Sequence, residues 1–533
     1  MVVGSGHNAL TSACYLADAG MSVEVLERDT IAGGAVSSVE RFPGHRVDRG
    51  SSAHIMVRHT GVIEELALAD HGLRYAECDP WAFAPGAPGT DEPALVFRRD
   101  LDRTCESIAH ACGSADARAY RQFVEVWGPR SARTMRAFSG PPTGPKLLRS
   151  FWGLDAPNGG SALSREFLTT GDALLDETFF SERLKAALAW FGAQSGPPMS
   201  EPGTAPMVGF AALMHTLPPG RAIGGSGALT EALVSRLKSA GGAVTLGDAV
   251  TSLSPAGDRW TTRTESGRSI TSGVVVAGCH VLATLDLLAA GGHDPSSIET
   301  WRRGIRVGPG IGMAVRLATS SLPRYTGALS TSDATSGLQL LVRDRNHLRL
   351  AHGNASAGEL PPAPAVLGMS FTALDPTVAP AGEHQVSLWS QWHPYALSGG
   401  RRWRRSESAS APDDIAELEA DRVIEQVESY APGFRDSIRH RHVQSPVDIE
   451  RELGMIGGNI MHVEMSLDQM MMWRPAPALS GHRVPGTRGL YLTGASTHPG
   501  GGVSAASGRS AARIALADAG AGAVRRWIGS KRR

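Results

Sequence analysis

The sequence predicts an α/β protein in which a Rossmann-type dinucleotide-binding domain is interrupted by an inserted α+β domain. Three observations predict it. The chain opens as strand, glycine turn, helix, strand and acid, and the same strand, glycine and helix order returns near residues 224 and 494. Glycine, 63 of 533 residues, forms clusters at those turns, and its share of about 12% exceeds the usual value of about 7%.

The opening is the most explicit of these elements. Met1-Val2-Val3 runs into Gly4-Ser5-Gly6-His7-Asn8-Ala9, after which Leu10, Ala13, Leu16 and Ala17 fall at helical spacing until Gly20 ends the helix. Val23, Val25 and Leu26 then form a short strand ending at Glu27, which lies 21 positions after Gly6. In such a unit the first glycine permits the tight turn and the second lets a pyrophosphate approach the backbone. The third position, here Ala9, must be small so that helix and strand can pack. The pyrophosphate would rest on the amides of the helix start, with Ser5, His7 and Asn8 around it, and Glu27 would accept hydrogen bonds from a ribose.

A second glycine pair, Gly33-Gly34, follows at once. Leu101 to Trp127 reads as two helices joined at Gly113, a Pro/Gly-rich break spans Ser139 to Pro145, and Ser181 to Phe191 reads as an amphipathic helix. Gly224-Gly225-Ser226-Gly227 opens a helix to Ala240, with short strands at Ala243 to Leu246, Ala249 to Leu253 and Val274 to Val276. Residues 300 to 480 are rich in short alternating segments such as Gly310 to Leu317 and His384 to Gln391. Near the carboxyl end, Gly489-Leu490-Tyr491-Leu492-Thr493-Gly494 leads to Gly500-Gly501-Gly502-Val503 and a small-residue helix through Asp518. Gly501, Gly502 and Val503 are expected to form the positive end of that helix, so that with the first turn the chain would hold a ligand with two anionic regions.

From Gly4 to Gly34 the chain resembles the opening of the FAD-dependent amine oxidase and phytoene desaturase superfamily. The GLYLTGASTHPGGGV segment resembles the closing motif of its phytoene desaturase-like group, which includes bacterial carotene ketolases. The resemblance implies FAD as cofactor, and a discontinuous (GR2-like) FAD-binding domain over 1–75, 220–300 and 481–533. A substrate-binding domain over 76–219 and 301–480 would be inserted in it. It further implies cofactor contacts from Gly4, Ser5, Gly6, His7, Asn8, Ala9, Glu27, Arg28, Gly33 and Gly34. Val250 would lie at the adenine, Gly494 near the ribityl phosphate, and Gly501, Gly502 and Val503 against the flavin. Some relatives carry an arginine after the second glycine pair; this chain has Ala35 there.

With FAD bound, the expected reaction is removal of hydride from a carbon of a hydrophobic small molecule to flavin N5. An oxidase or ketolase using oxygen directly is the alternative, and a non-catalytic flavin-binding assembly factor is the alternative of another class. His498 and His462 are the candidate bases, with His54 a third. Met455, Met461, Met465, Met470, Met471 and Met472 place six of the 15 methionines within 18 residues, which suits an adaptable apolar lining.

Composition excludes other roles. Lys+Arg and Asp+Glu are 52 each, so no basic field attracts nucleic acid. Five cysteines without a CxxC spacing support neither a disulfide framework nor a zinc site, no other metal-ligand pattern is present, and a cytoplasmic location is expected. The run Arg401-Arg402-Trp403-Arg404-Arg405 reads as a solvated loop, with peripheral membrane contact as its other reading. Oligomeric state is left open.

Overall fold

The structure is a computed structural model that describes residues 1–145, 165, 167–308, 311–328, 330–404 and 414–520. Its organising element is a five-stranded parallel sheet assembled from distant parts of the chain. The order across it is Leu490–Leu492, Val275–Ala277, Val2–Val3, Glu24–Leu26 and Ala243–Thr245. The strands Leu490–Leu492, Val275–Ala277 and Val2–Val3 are short and fully buried, as expected where helices cover a parallel sheet on both faces.

Three helices, His7–Asp18, Gly227–Ser239 and Ala506–Asp518, pack together against this sheet. Small residues set their spacing. A Cβ on Gly278 would lie 2.5 Å from that of Ala9, and one on Gly508 would lie 2.1 Å from the Asn8 carbonyl oxygen. The first contact is the close helix–strand approach that a small third position permits, and the second brings the amino-terminal and carboxyl-terminal helices together.

A seven-stranded mixed sheet forms the other half. Its order is Ile438–Gln444, Gly312–Thr319, His384–Gln391, Val366–Met369, Leu338–Leu341, Ala82–Ala84 and Leu95–Phe97. One face carries the largest apolar cluster, shared with the helices Ser114–Phe138 and Glu182–Ala193. The opposite face is covered by the helix Ile415–Tyr430. The helix pair around Gly113 forms as Leu101–Cys112 and Ser114–Phe138, the second running past the expected end because Phe123, Trp127, Met135 and Phe138 keep burying one face. Among the described residues, no helix is long and apolar enough to cross a membrane.

The arginine run is solvated at Arg401 and Arg402 and anchored beyond them. Arg401 pairs with Glu359, Arg404 with Asp448, and the Trp403 indole is buried and donates to the Pro394 carbonyl. Acidic partners brought from other elements thus pair with two of its arginines, Arg401 and Arg404; Arg405 lies outside the described residues.

Candidate functional site

The two sheets and the helical layer enclose one cavity of about 780 Å³. At one end are the glycine turns, at the carboxyl edge of the parallel sheet where a doubly wound fold places its ligands. At the other end lie apolar side chains of the seven-stranded sheet, the helices and the methionine segment.

The first turn is built as an open cradle. Gly4 has φ +87°, a left-handed conformation that favours glycine. A Cβ on Gly6 would meet nothing within 4 Å, although the residue lines the cavity. Gly6 is also the N-cap of the first helix and no side chain caps it, so the first helical amides face the cavity without a capping partner. Ser5 braces the loop. Its amide and hydroxyl both donate to Glu27 Oε2 at 2.7 Å, and its Oγ accepts from the Gly33 amide at 3.1 Å. Gly33 cannot be larger, because a Cβ there would lie 2.5 Å from Thr230 Oγ1. Glu27, Arg28, Gly34 and Val250 line the same end, and the Arg28 guanidinium lies against Gly454. Free amides, a carboxylate and room for a ligand backbone fit a dinucleotide.

The second turn differs from its expected form. Gly494, Gly501, Gly502 and Val503 line the cavity, but the helix begins only at Ala506. Gly500, Gly502, Val503 and Ala505 all have positive φ, which a right-handed helix cannot contain. Residues 501 to 503 are therefore a loop, not a helix end. The loop is held by the methionine segment: Cβ atoms on Gly500 and Gly501 would strike the sulfurs of Met465 and Met461 at 2.8 and 2.3 Å. Arg474, which nothing in the sequence pattern marked as a brace, ties the two together. Its buried guanidinium donates to the carbonyls of Met461, Val463, Glu464, Gln469 and Ala495, and burial lowers its pKa to about 9.

The candidate bases separate. His498 is buried and does not line the cavity; its ring meets Phe138 edge-on and its Nε2 lies 3.4 Å from the Ala137 carbonyl. The turn points it into the helical layer, so its expected catalytic place is corrected. His54 also stands behind the wall, with Nδ1 on the Tyr75 hydroxyl at 2.6 Å and Nε2 on Ser226 at 2.8 Å. Burial lowers its pKa to about 3. His462 does line the cavity, stacked on His280 at 5.0 Å with Nδ1 3.1 Å from Ser496 Oγ. Burial holds it well below the usual histidine range, and burial lowers His7 to about 4.

Of the methionine cluster, Met455, Met461, Met465, Met470 and Met471 line the cavity, and Met472 is exposed. The sequence reading missed the sheet's contribution, notably Trp389 and Arg316. An arginine inside the buried run Gly312–Thr319 was the one available signal.

A Rossmann-type sheet whose glycine turns open on a largely apolar cavity fits a dinucleotide-binding protein. Residues 2–67 match the family of NAD(P)-binding Rossmann-like domains. The chain is 29% identical to pyridine nucleotide-disulfide oxidoreductase domain-containing protein 2 of Rattus norvegicus, over 97% of this chain and 93% of that protein. It is 25% identical to the phytoene dehydrogenase of Streptomyces griseus, over 94% and 92%. Its fold matches that of a putrescine oxidase with a TM-score of 0.60, at 13% identity over 96% of this chain and 97% of that one. Over nearly its whole length the chain is thus similar to proteins named as oxidoreductases and dehydrogenases, and its fold is that of solved amine oxidases.

Proposed function

We propose that the chain binds FAD and removes hydride from a carbon of an apolar small molecule. The observation that supports this most is the continuity of the cavity, which joins the glycine cradle to a lining rich in methionine and aliphatic side chains. In this reading the parallel sheet and its helices are the cofactor domain, and the seven-stranded sheet with its helical layer is the substrate domain.

The amides at Gly6 to Ala9 would hold the pyrophosphate, Glu27 and Arg28 the ribose end, and Val250 the adenine. Gly33 and Gly34 would let the chain pass close, and Gly494 with the loop at 501–503 would flank the flavin. FAD, when bound, supplies a two-electron acceptor. Met461 and Met465, packed on that loop, exclude water and shape themselves to an apolar substrate. His462, with Nδ1 engaged by Ser496, would hold a proton at Nε2. The name of the phytoene dehydrogenase, whose substrate is a hydrocarbon, supports an apolar substrate here.

The test is anaerobic reduction of the purified protein by a panel of hydrocarbon and amine substrates, followed by air. Bleaching of the flavin by apolar compounds is expected. Bleaching by amines alone would overturn the substrate class. Slow reoxidation supports a dehydrogenase with another acceptor, and fast reoxidation an oxidase.

A further inference from the structure

The cavity face of the seven-stranded sheet is not uniformly apolar. Strand registers set two parallel rows on it. Gln444, Ala314, Trp389 and Leu367 lie side by side in the first. His442, Arg316, Ser387, Met369 and Leu338 form the second. Each row runs from a polar residue at one edge to leucine at the other. From the strand of Arg316 to that of Leu338 is three strand spacings, about 14 Å, or the length of a chain of about ten carbons.

Arg316 is 4% exposed and lines the cavity. One nitrogen, Nη2, donates to the Gly50 carbonyl at 2.9 Å, and Nε has no hydrogen-bond partner. Among the described residues no carboxylate forms an ion pair with it. The carboxylates whose fields reach it are already engaged, Asp48 by Arg221 and Glu452 by Arg41 and His442, and Arg41 and Arg221 add positive charge. A buried guanidinium without a counter-ion costs several kcal/mol unless a ligand supplies one. Burial lowers its pKa to about 10, which leaves it charged at neutral pH.

We infer that Arg316 binds the carboxylate of a substrate whose apolar body lies along the sheet toward Leu367 and Leu338. A guanidinium matches a carboxylate through paired N–H donors. This rests on the reading of the cavity as the substrate site beside the cofactor, and it narrows the substrate class to amphipathic acids of about ten carbons or more. Arg316 is then a specificity-determining residue, because an uncharged hydrocarbon would leave the guanidinium buried without a counter-ion.

The test is thermal stabilisation of the protein as purified, titrated with hexanoate, decanoate and hexadecanoate and with the matching alcohols, while flavin content is read separately. The wild type is expected to bind decanoate at least tenfold more tightly than decanol. Arg316→Met should lose that preference with decanol binding unchanged, and Arg316→Lys should keep part of it. Arg316→Gln serves if the methionine variant does not fold. Equal binding of acids and alcohols by the wild type overturns the inference, as does an unchanged preference in the variants. So does an Arg316→Met protein that loses flavin and regains it only in excess FAD, since the guanidinium would then serve a cofactor phosphate. A wild type without flavin would overturn the proposed cofactor but still leave the acid preference measurable.

Discussion

The two glycine turns that open on the cavity look alike in sequence and are built differently. After Gly4 and Gly6 the helix starts at once, at His7, and its uncapped amides face the cavity. After Gly494 to Gly502 the helix waits until Ala506, and the intervening residues form a loop braced from outside by Arg474 and the methionine segment. The open amides of the first turn are a property of local backbone geometry. At the second, the loop's shape depends on side chains about twenty to forty positions away, so it should respond to changes in the substrate-side lining where the first does not.

Breaking the first turn should have the largest effect. Gly6→Val places a side chain where nothing lies within 4 Å and where the ligand backbone is expected. The protein should fold with an unchanged circular dichroism spectrum and retain less than a tenth of its flavin.

Acid should weaken both turns together. Burial lowers His7 in the first turn and His482, whose Nδ1 lies on the Leu492 carbonyl just before the second turn, to about 4, and His54 behind the cavity wall to about 3, from 6.5. Unfolded histidines bind protons that the folded ones refuse, so this stability is present above pH 6.5 and is lost as pH falls toward 4. The loss is about 1.4 kcal/mol per histidine for each pH unit in that window. Urea midpoints at pH 7 and pH 5 measure it, and equal midpoints would contradict it.

Removing the brace sharpens the contrast. Arg474→Met leaves buried carbonyls unpaired and should cost about 3 kcal/mol. It should also weaken flavin retention while the Gly4 and Ser5 amides, bonded to the Leu26 carbonyl and Glu27, keep their protection in hydrogen exchange. Smaller still, Gly508→Ala presses on the Asn8 carbonyl where the two turns' helices meet, and should cost about 2 kcal/mol in denaturant melts.

The contrast also explains what could be read from the chain. The first turn was legible because strand, glycines, helix and acid are contiguous and each obeys a local rule. The second was legible as a cavity-lining segment but not in its backbone path, because positive φ at Val503 and Ala505 is imposed by packing and not by residue type. His498 was misplaced for the same reason: proximity to the turn in sequence does not fix which way a ring points. The methionines were legible as lining because they cluster, whereas Arg316 becomes visible only once strand registers set it beside Ser387 and Met369.

The visible absorption spectrum of the purified protein, with flavin quantified after denaturation, is the most direct measure of the common cofactor site. A yellow protein carrying about one FAD per chain is expected, and Gly6→Val should be colourless. A colourless wild type that takes up no added FAD would contradict the account.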